Sequence, residues 1–78
     1  MRTIASMDLL YKDKKYHLDY DFKEEYPEKS ARYIFFDGNY SCDCNKSLFI
    51  QRYCDKDFPE MECGDEIEIQ NFELNIIQ

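Results

Sequence analysis

The chain has 78 residues, 44% of them hydrophobic and 35% charged, a balance typical of one folded domain over residues 1–78 rather than of a disordered segment. Acids and bases cancel over residues 1–54, so the net charge of −7 lies in residues 55–78, where eight acids accompany Lys56 alone. This argues against direct nucleic-acid binding, which needs clustered cations. Neither a secretory signal core nor a membrane span of about 18 apolar residues is evident, so we expect a cytoplasmic protein that does not bind membranes.

The first predicted element is an antiparallel hairpin. Apolar and polar residues alternate strictly over residues 16–23, and a similar alternation covers residues 7–11. The polar residues 12–15 separate the two runs, as expected for a connection between paired strands. Residues 24–31 follow as a predicted loop around Pro27.

A second hairpin is predicted around the turn-forming residues 37–39, Asp-Gly-Asn. Residues 33–36, which precede the turn, are aromatic or β-branched and favour a strand. Because side chains alternate along paired strands, either possible two-residue turn places the same four residues on one face. We expect that face to be buried; its residues are Tyr33, Phe35, Cys42 and Cys44.

The segment of residues 46–53 fits a short helix capped by Asn45. Its inward side would hold Leu48, Phe49 and either Arg52 or Tyr53. A strand is the alternative, because a period of two also fits residues 48–51.

The last segments are a loop and a strand. Residues 54–65 form the predicted loop, which Pro59 and Gly64 interrupt, and residues 66–77 form the strand. Apolar residues occupy odd positions at the start of this strand and even positions later, so a bulge near residues 70–71 would let both sets face one core. The sequence therefore predicts an α+β fold: a small antiparallel sheet of two hairpins plus a C-terminal strand, with one short helix.

The four cysteines have the spacing C-x-C-x9-C-x8-C, at Cys42, Cys44, Cys54 and Cys63. They could be buried small hydrophobes, a structural zinc site, or, at Cys44, a reactive thiol. Residues two apart on an extended strand are about 6.6 Å apart, which is too far to share a zinc ion unless the chain turns at Asn45. A reducing cytoplasm argues against disulfides, and the other interpretations stay open.

The stretch GNYSCDCNKSLFIQRYC, residues 38–54, together with the later CGDEI, resembles small uncharacterised proteins of bacteria and bacteriophages with a G-N-Y-x-C-D-C-N-R-S-L-F signature. The resemblance covers residues 31–69, and Lys46 stands where the family has arginine. It implies a bacterial or phage source but no activity.

The sequence favours a non-enzymatic interaction module. His17 lies on the polar side of its strand with no evident catalytic partner, and no phosphate-binding loop or cofactor motif is present. Thirteen aromatic residues and the acidic C-terminal third favour a protein partner with a basic surface. The predicted contact residues are Asp57, Glu60, Glu62, Asp65, Glu66, Tyr40 and Tyr53. A phage-encoded inhibitor of a host or defence protein is one form of this hypothesis, and a structural zinc domain using the four cysteines is the alternative.

Overall fold

The structure is a computed structural model that describes residues 2–22 and 35–77. The elements within these residues are β1 (Arg2–Tyr11), β2 (Lys14–Asp21), β3 (Gly38–Ser41), α1 (Cys44–Tyr53) and β4 (Glu66–Ile77). The four strands form one antiparallel sheet in the order β2-β1-β4-β3, and α1 packs on it. The predicted α+β fold with a small antiparallel sheet and one short helix is confirmed, whereas the loop predicted for residues 24–31 lies outside the described residues.

The predicted first hairpin is confirmed as β1 and β2. Their register pairs Met7 with Leu18 and Leu9 with Tyr16, and the connection is the two-residue turn Lys12–Asp13. Both turn residues have positive φ, 49° and 66°, as a type I′ turn requires. The polar stretch therefore contributes two residues to the turn and two to the start of β2.

The two faces of the sheet differ in burial because side chains alternate along each strand. The odd-numbered residues of β1 from position 5 onward are buried, as are Tyr16 and Leu18 of β2 and Ile67 and Ile69 of β4 on the same face. The even-numbered residues of β1 lie on the other face, with the polar side chains of β2 and β4. Helix α1 covers the buried face, and no element of residues 2–22 and 35–77 covers the opposite face, called here the open face. The buried hydrophobic residues are Ala5, Met7, Leu9, Tyr11, Tyr16, Leu18, Phe22, Phe35, Cys42, Phe49, Ile50, Met61, Ile67 and Ile69.

The bulge predicted in the C-terminal strand is confirmed. The register between β1 and β4 shifts between Ser6 and Asp8, so that two β4 residues, Asn71 and Phe72, oppose the single residue Met7. Asn71 has a φ of 56°, a left-handed conformation that asparagine adopts more readily than most residues. The bulge places Phe72 on the same face as Ile69, as expected from the change of the apolar residues from odd to even positions.

The predicted second hairpin is wrong in its pairing. Strand β3 pairs with β4, with Gly38 opposite Ile69, and Phe35 and Phe36 lie outside strands. Tyr33 lies outside the described residues. The turn-forming residues Gly38 and Asn39 do not form a tight hairpin, because they pair with a strand that is distant in sequence. Phe35 and Cys42 are nevertheless fully buried, as predicted, whereas Cys44 begins the helix and is exposed.

The predicted helix is confirmed, but its start and its inward side differ. Asp43, not Asn45, is the N-cap, and its carboxylate accepts the Lys46 N–H at 2.8 Å. The buried side holds Ser47, Phe49 and Ile50 rather than Leu48, which is exposed. No helix of residues 2–22 and 35–77 is long and apolar enough to cross a membrane.

Candidate functional site

Residues 54–65, called here the acidic loop, connect α1 to β4 without regular secondary structure. The start of the loop is fixed to the edge of β2. Cys54 forms a bridge with Leu18, and His17 and Asp55 exchange hydrogen bonds: the Asp55 N–H donates to the His17 carbonyl at 3.2 Å, and the His17 N–H donates to the Asp55 carboxylate at 3.0 Å. The loop therefore begins as a short extension of the sheet.

Two apolar side chains fix the middle of the acidic loop. The Phe58 ring lies 5.4 Å from that of Tyr11 and packs edge-on against Tyr16 at 4.8 Å. Met61 is almost fully buried in the same core. Their burial provides the favourable free energy that holds an otherwise polar segment against the sheet.

The helix also binds the acidic loop. Cys44, in the first turn of α1, forms a disulfide with Cys63. The Gln51 amide donates to the Met61 carbonyl at 3.2 Å, and the Ser47 hydroxyl donates to the Glu62 carbonyl at 3.3 Å. These bonds satisfy loop carbonyls that have no strand partner.

Asp65 closes the end of the acidic loop. Its carboxylate accepts the Tyr11 hydroxyl at 2.6 Å and the Glu62 N–H at 3.0 Å. The hydrogen bond raises the pKa of Tyr11 to about 12 and, from the other side, lowers the pKa of Asp65. Asp65, predicted as a partner contact, is thus engaged in holding the loop to β1.

The remaining predicted acids point into solvent. Asp57, Glu60, Glu62 and Glu66 are exposed, and Lys56 is the only base in residues 55–78. Their carboxylates lie on a backbone that is fixed at its start, middle and end. This arrangement can present a defined pattern of negative charge to a cationic surface.

The two predicted tyrosines do not share a site. Tyr40 belongs to edge strand β3, and its hydroxyl donates to the Phe36 carbonyl at 2.5 Å. With Glu66 it lines an open concavity of about 490 Å³. Tyr53 lies toward the opposite edge of the sheet, where its ring packs against Tyr20 of β2, and it lines a groove of about 300 Å³.

The expectation that the cysteines are all reduced is wrong for Cys44 and Cys63, which are bonded to each other and exposed. Cys42 is fully buried, and the Cys54 thiol donates to the His17 carbonyl at 3.4 Å. The four-thiolate zinc site therefore does not form in this structure. Among residues 2–22 and 35–77, no group of three or more His, Cys, Asp or Glu side chains is placed to hold one metal ion.

The two free cysteines have little nucleophilic character. Burial raises the pKa of both Cys42 and Cys54 to about 11, so both are thiols rather than thiolates at neutral pH. Cys42 is packed in the core as a small hydrophobe, as one of the three interpretations predicted. Cys44, the predicted candidate for a reactive thiol, is consumed by the disulfide.

A polar cluster on the open face of the sheet was missed by the sequence analysis. His17 lies between two carboxylates, with Nδ1 3.1 Å from Asp8 and Nε2 2.9 Å from Asp19, and Ser6 Oγ is 3.3 Å from Nε2. Asn71, at the bulge, donates to the second Asp8 oxygen at 2.9 Å. The cluster could have been predicted from the register of the hairpin, because pairing residue 6 with 19 and residue 8 with 17 brings these side chains to one face.

This cluster has the residue types of a Ser-His-Asp triad but different electrostatics. The hydrogen bond to the Asp8 carboxylate raises the pKa of His17; partial burial opposes this rise, and the Asp19 carboxylate adds to it. The Ser6 hydroxyl donates to Asp19 at 2.6 Å instead of to a neutral imidazole. Neither of the concavities described above is lined by these residues. The cluster can act as an ion-pair network that joins β1 to β2.

Comparison with protein-family models, curated protein sequences and solved structures gave no significant match. The function must therefore be argued from the geometry of the chain itself.

Proposed function

We propose that this protein is a non-enzymatic interaction module that binds a protein partner with a basic surface through the acidic loop. The observation that carries the proposal is the fixed backbone of this irregular loop, whose carboxylates at Asp57, Glu60 and Glu62 remain exposed. Loops held by a rigid scaffold commonly carry binding function. A pre-organised loop also loses less conformational entropy when it binds.

The charge distribution supports the type of partner. Exposed acids of one sign attract a cationic surface over several ångströms and raise the association rate, an effect that salt reduces. Glu66, at the start of β4, extends the acidic surface beyond the loop, and Tyr40 lies beside it. Tyr53 lies toward the other edge of the sheet. Only a partner large enough to span both edges would contact Tyr53 as well as the acidic loop.

A non-enzymatic role agrees with the chemistry of the most triad-like group. Both ring nitrogens of His17 lie against carboxylates, and the Ser6 hydroxyl donates to Asp19, so the imidazole is not placed to activate Ser6 as a nucleophile. The inhibitor hypothesis is a narrower form of the proposal that depends on the resemblance to phage proteins. The predicted cytoplasmic location stays a prediction, and the Cys44–Cys63 disulfide weighs against it, because such bonds persist mainly in oxidising compartments.

Affinity capture from an extract of the source cell, with matched variants as bait, tests the proposal. We expect Glu60→Gln/Glu62→Gln to lose the partner that the wild type captures. The control Asp13→Asn/Glu73→Gln removes the same charge from exposed residues outside the loop and should retain it. Equal capture of the partner by both variants would contradict the proposal. Equal loss would also contradict it, because binding would then depend on net charge and not on the acidic loop.

A further inference from the structure

Among the described residues, the second half of β4, residues 72–77, has a strand partner on one side only. On that side β1 pairs with it, from Ser6 opposite Glu73 to Arg2 opposite Ile77. On the other side β3 ends at Gly38, opposite Ile69. Within residues 2–22 and 35–77, no strand continues β3 along residues 72–77, so this half of β4 is an open sheet edge.

The backbone groups that point out of this edge can be assigned. The Phe72 N–H donates to the Asp37 carboxylate at 2.8 Å, on the β3 side. Because backbone directions alternate along a strand, the N–H and C=O groups of Leu74 and Ile76 point to the same side.

The pairing of β1 leads independently to the same assignment. The Thr3 carbonyl accepts the Phe22 N–H, so Thr3 points toward β2. Its neighbour Ile4 must then point toward β4, where it pairs with Asn75. Asn75 therefore uses its backbone groups on β1, which leaves Leu74 and Ile76 directed outward.

The open edge also has exposed apolar side chains. Leu74, Ile76 and Ile77 are 44%, 61% and 46% exposed, and Phe36, whose ring lies 5.2 Å from that of Phe72, is 64% exposed. Natural proteins usually protect such edges with lysine, proline or a covering segment. Glu73 is the only charge in residues 72–77. An edge of this kind is typical of a surface that pairs with another strand.

We propose that the occupant of this edge is a second copy of the chain, bound antiparallel about a two-fold axis at Asn75. In this register Leu74 faces Ile76 of the partner subunit, and the symmetric pair forms again on the other side of the axis. Each pair exchanges two hydrogen bonds between the outward-directed groups, and the apolar side chains meet on the core face. An eight-stranded sheet results.

The positions of the charged residues permit this self-pairing. Glu73 lies opposite Ile77 of the partner subunit, so no like charges face each other directly. The acidic loop is fixed to Tyr11, at one end of β1, whereas Arg2, at the other end, pairs with the open half of β4. The net-acidic surfaces of the two copies are therefore kept at the distal ends of the joined sheet, where salt screens them.

Sedimentation velocity over about 1–200 μM chain, a range that brackets a micromolar Kd, tests the proposal. We expect the wild type to sediment as a dimer and Ile76→Lys as a monomer. Leu48→Lys is the matched control, because Leu48 is 66% exposed on the helix, away from the edge, and this variant should remain dimeric. Ile76→Pro removes only an N–H that points outward, so it should also be monomeric with an unchanged circular dichroism spectrum.

Amide hydrogen exchange identifies what covers the edge. In the wild type the Leu74 and Ile76 amides should exchange slowly, and in Ile76→Lys the Leu74 amide should exchange at least tenfold faster. A wild type that is monomeric throughout overturns the proposal, as does a Leu48→Lys variant that dissociates equally. A monomer with protected amides would assign the edge to the chain's own residues 23–34. The loop variant Glu60→Gln/Glu62→Gln should stay dimeric, so this test is independent of the proposed function.

Discussion

Removal of the Cys44–Cys63 disulfide is the most informative perturbation of the acidic loop. The bond joins residues separated by 19 positions. A loop of this length restricts the unfolded chain by about 3 kcal/mol at 25 °C in the chain-entropy model. For a domain of this size, that loss corresponds to a fall in Tm of about 12–24 °C. We therefore expect Cys44→Ser/Cys63→Ser to be folded but much less stable, because Phe58, Met61 and Asp65 still hold the loop.

Equilibrium urea unfolding with and without dithiothreitol measures this effect. Reduced wild type should match the double variant, and the variant itself should not respond to reductant, which controls for effects on Cys42 and Cys54. Thiol titration of unreduced, denatured wild type should detect two thiols, in agreement with the two free cysteines. Four titrated thiols, or identical unfolding midpoints for wild type and variant, would refute the reasoning.

Three further predictions concern the turn, the polar cluster and the middle of the loop. Lys12→Asn/Asp13→Gly should raise the free energy of unfolding by about 1 kcal/mol, measured in urea, because both residues adopt positive φ in a type I′ turn; an unchanged midpoint would argue against that turn. The stability advantage of wild type over His17→Gln should be full below the unfolded pKa near 6.5 and should shrink as pH rises through the higher folded pKa, because the bond to Asp8 raises it. Urea midpoints from about pH 5.5 to 8.5 measure this difference, and a constant gap would contradict it. Phe58→Ala should cost about 2 kcal/mol, less than the roughly 3–5 kcal/mol of a fully buried phenylalanine, because Phe58 is only half-buried. A loss below about 0.5 kcal/mol, the usual range for surface substitutions, would show that the ring does not hold the loop.

Periodicity made the hairpin and the bulge predictable. In residues 16–19 buried and exposed side chains alternate with a period of two, and a sheet with one buried face imposes the same period. The change of phase at Gln70 and Asn71 required an extra residue in the strand, and the structure contains it. The polar cluster around His17 was also within reach, because the hairpin register alone brings Ser6 and Asp8 to its face.

The sequence by itself determined the fold class and the segment that carries the net charge, because composition and local alternation are properties of neighbouring residues. It fitted either a helix or a strand over residues 46–53, and the tertiary structure decided for the helix. Only the tertiary structure decided that Gly38 pairs with Ile69, that Ile50 rather than Leu48 is buried, and that Cys44 meets Cys63. Each of these depends on contacts between segments distant in the chain. These contacts are stabilised by the burial of a core that distant segments share, and local secondary-structure propensities carry no information about that burial.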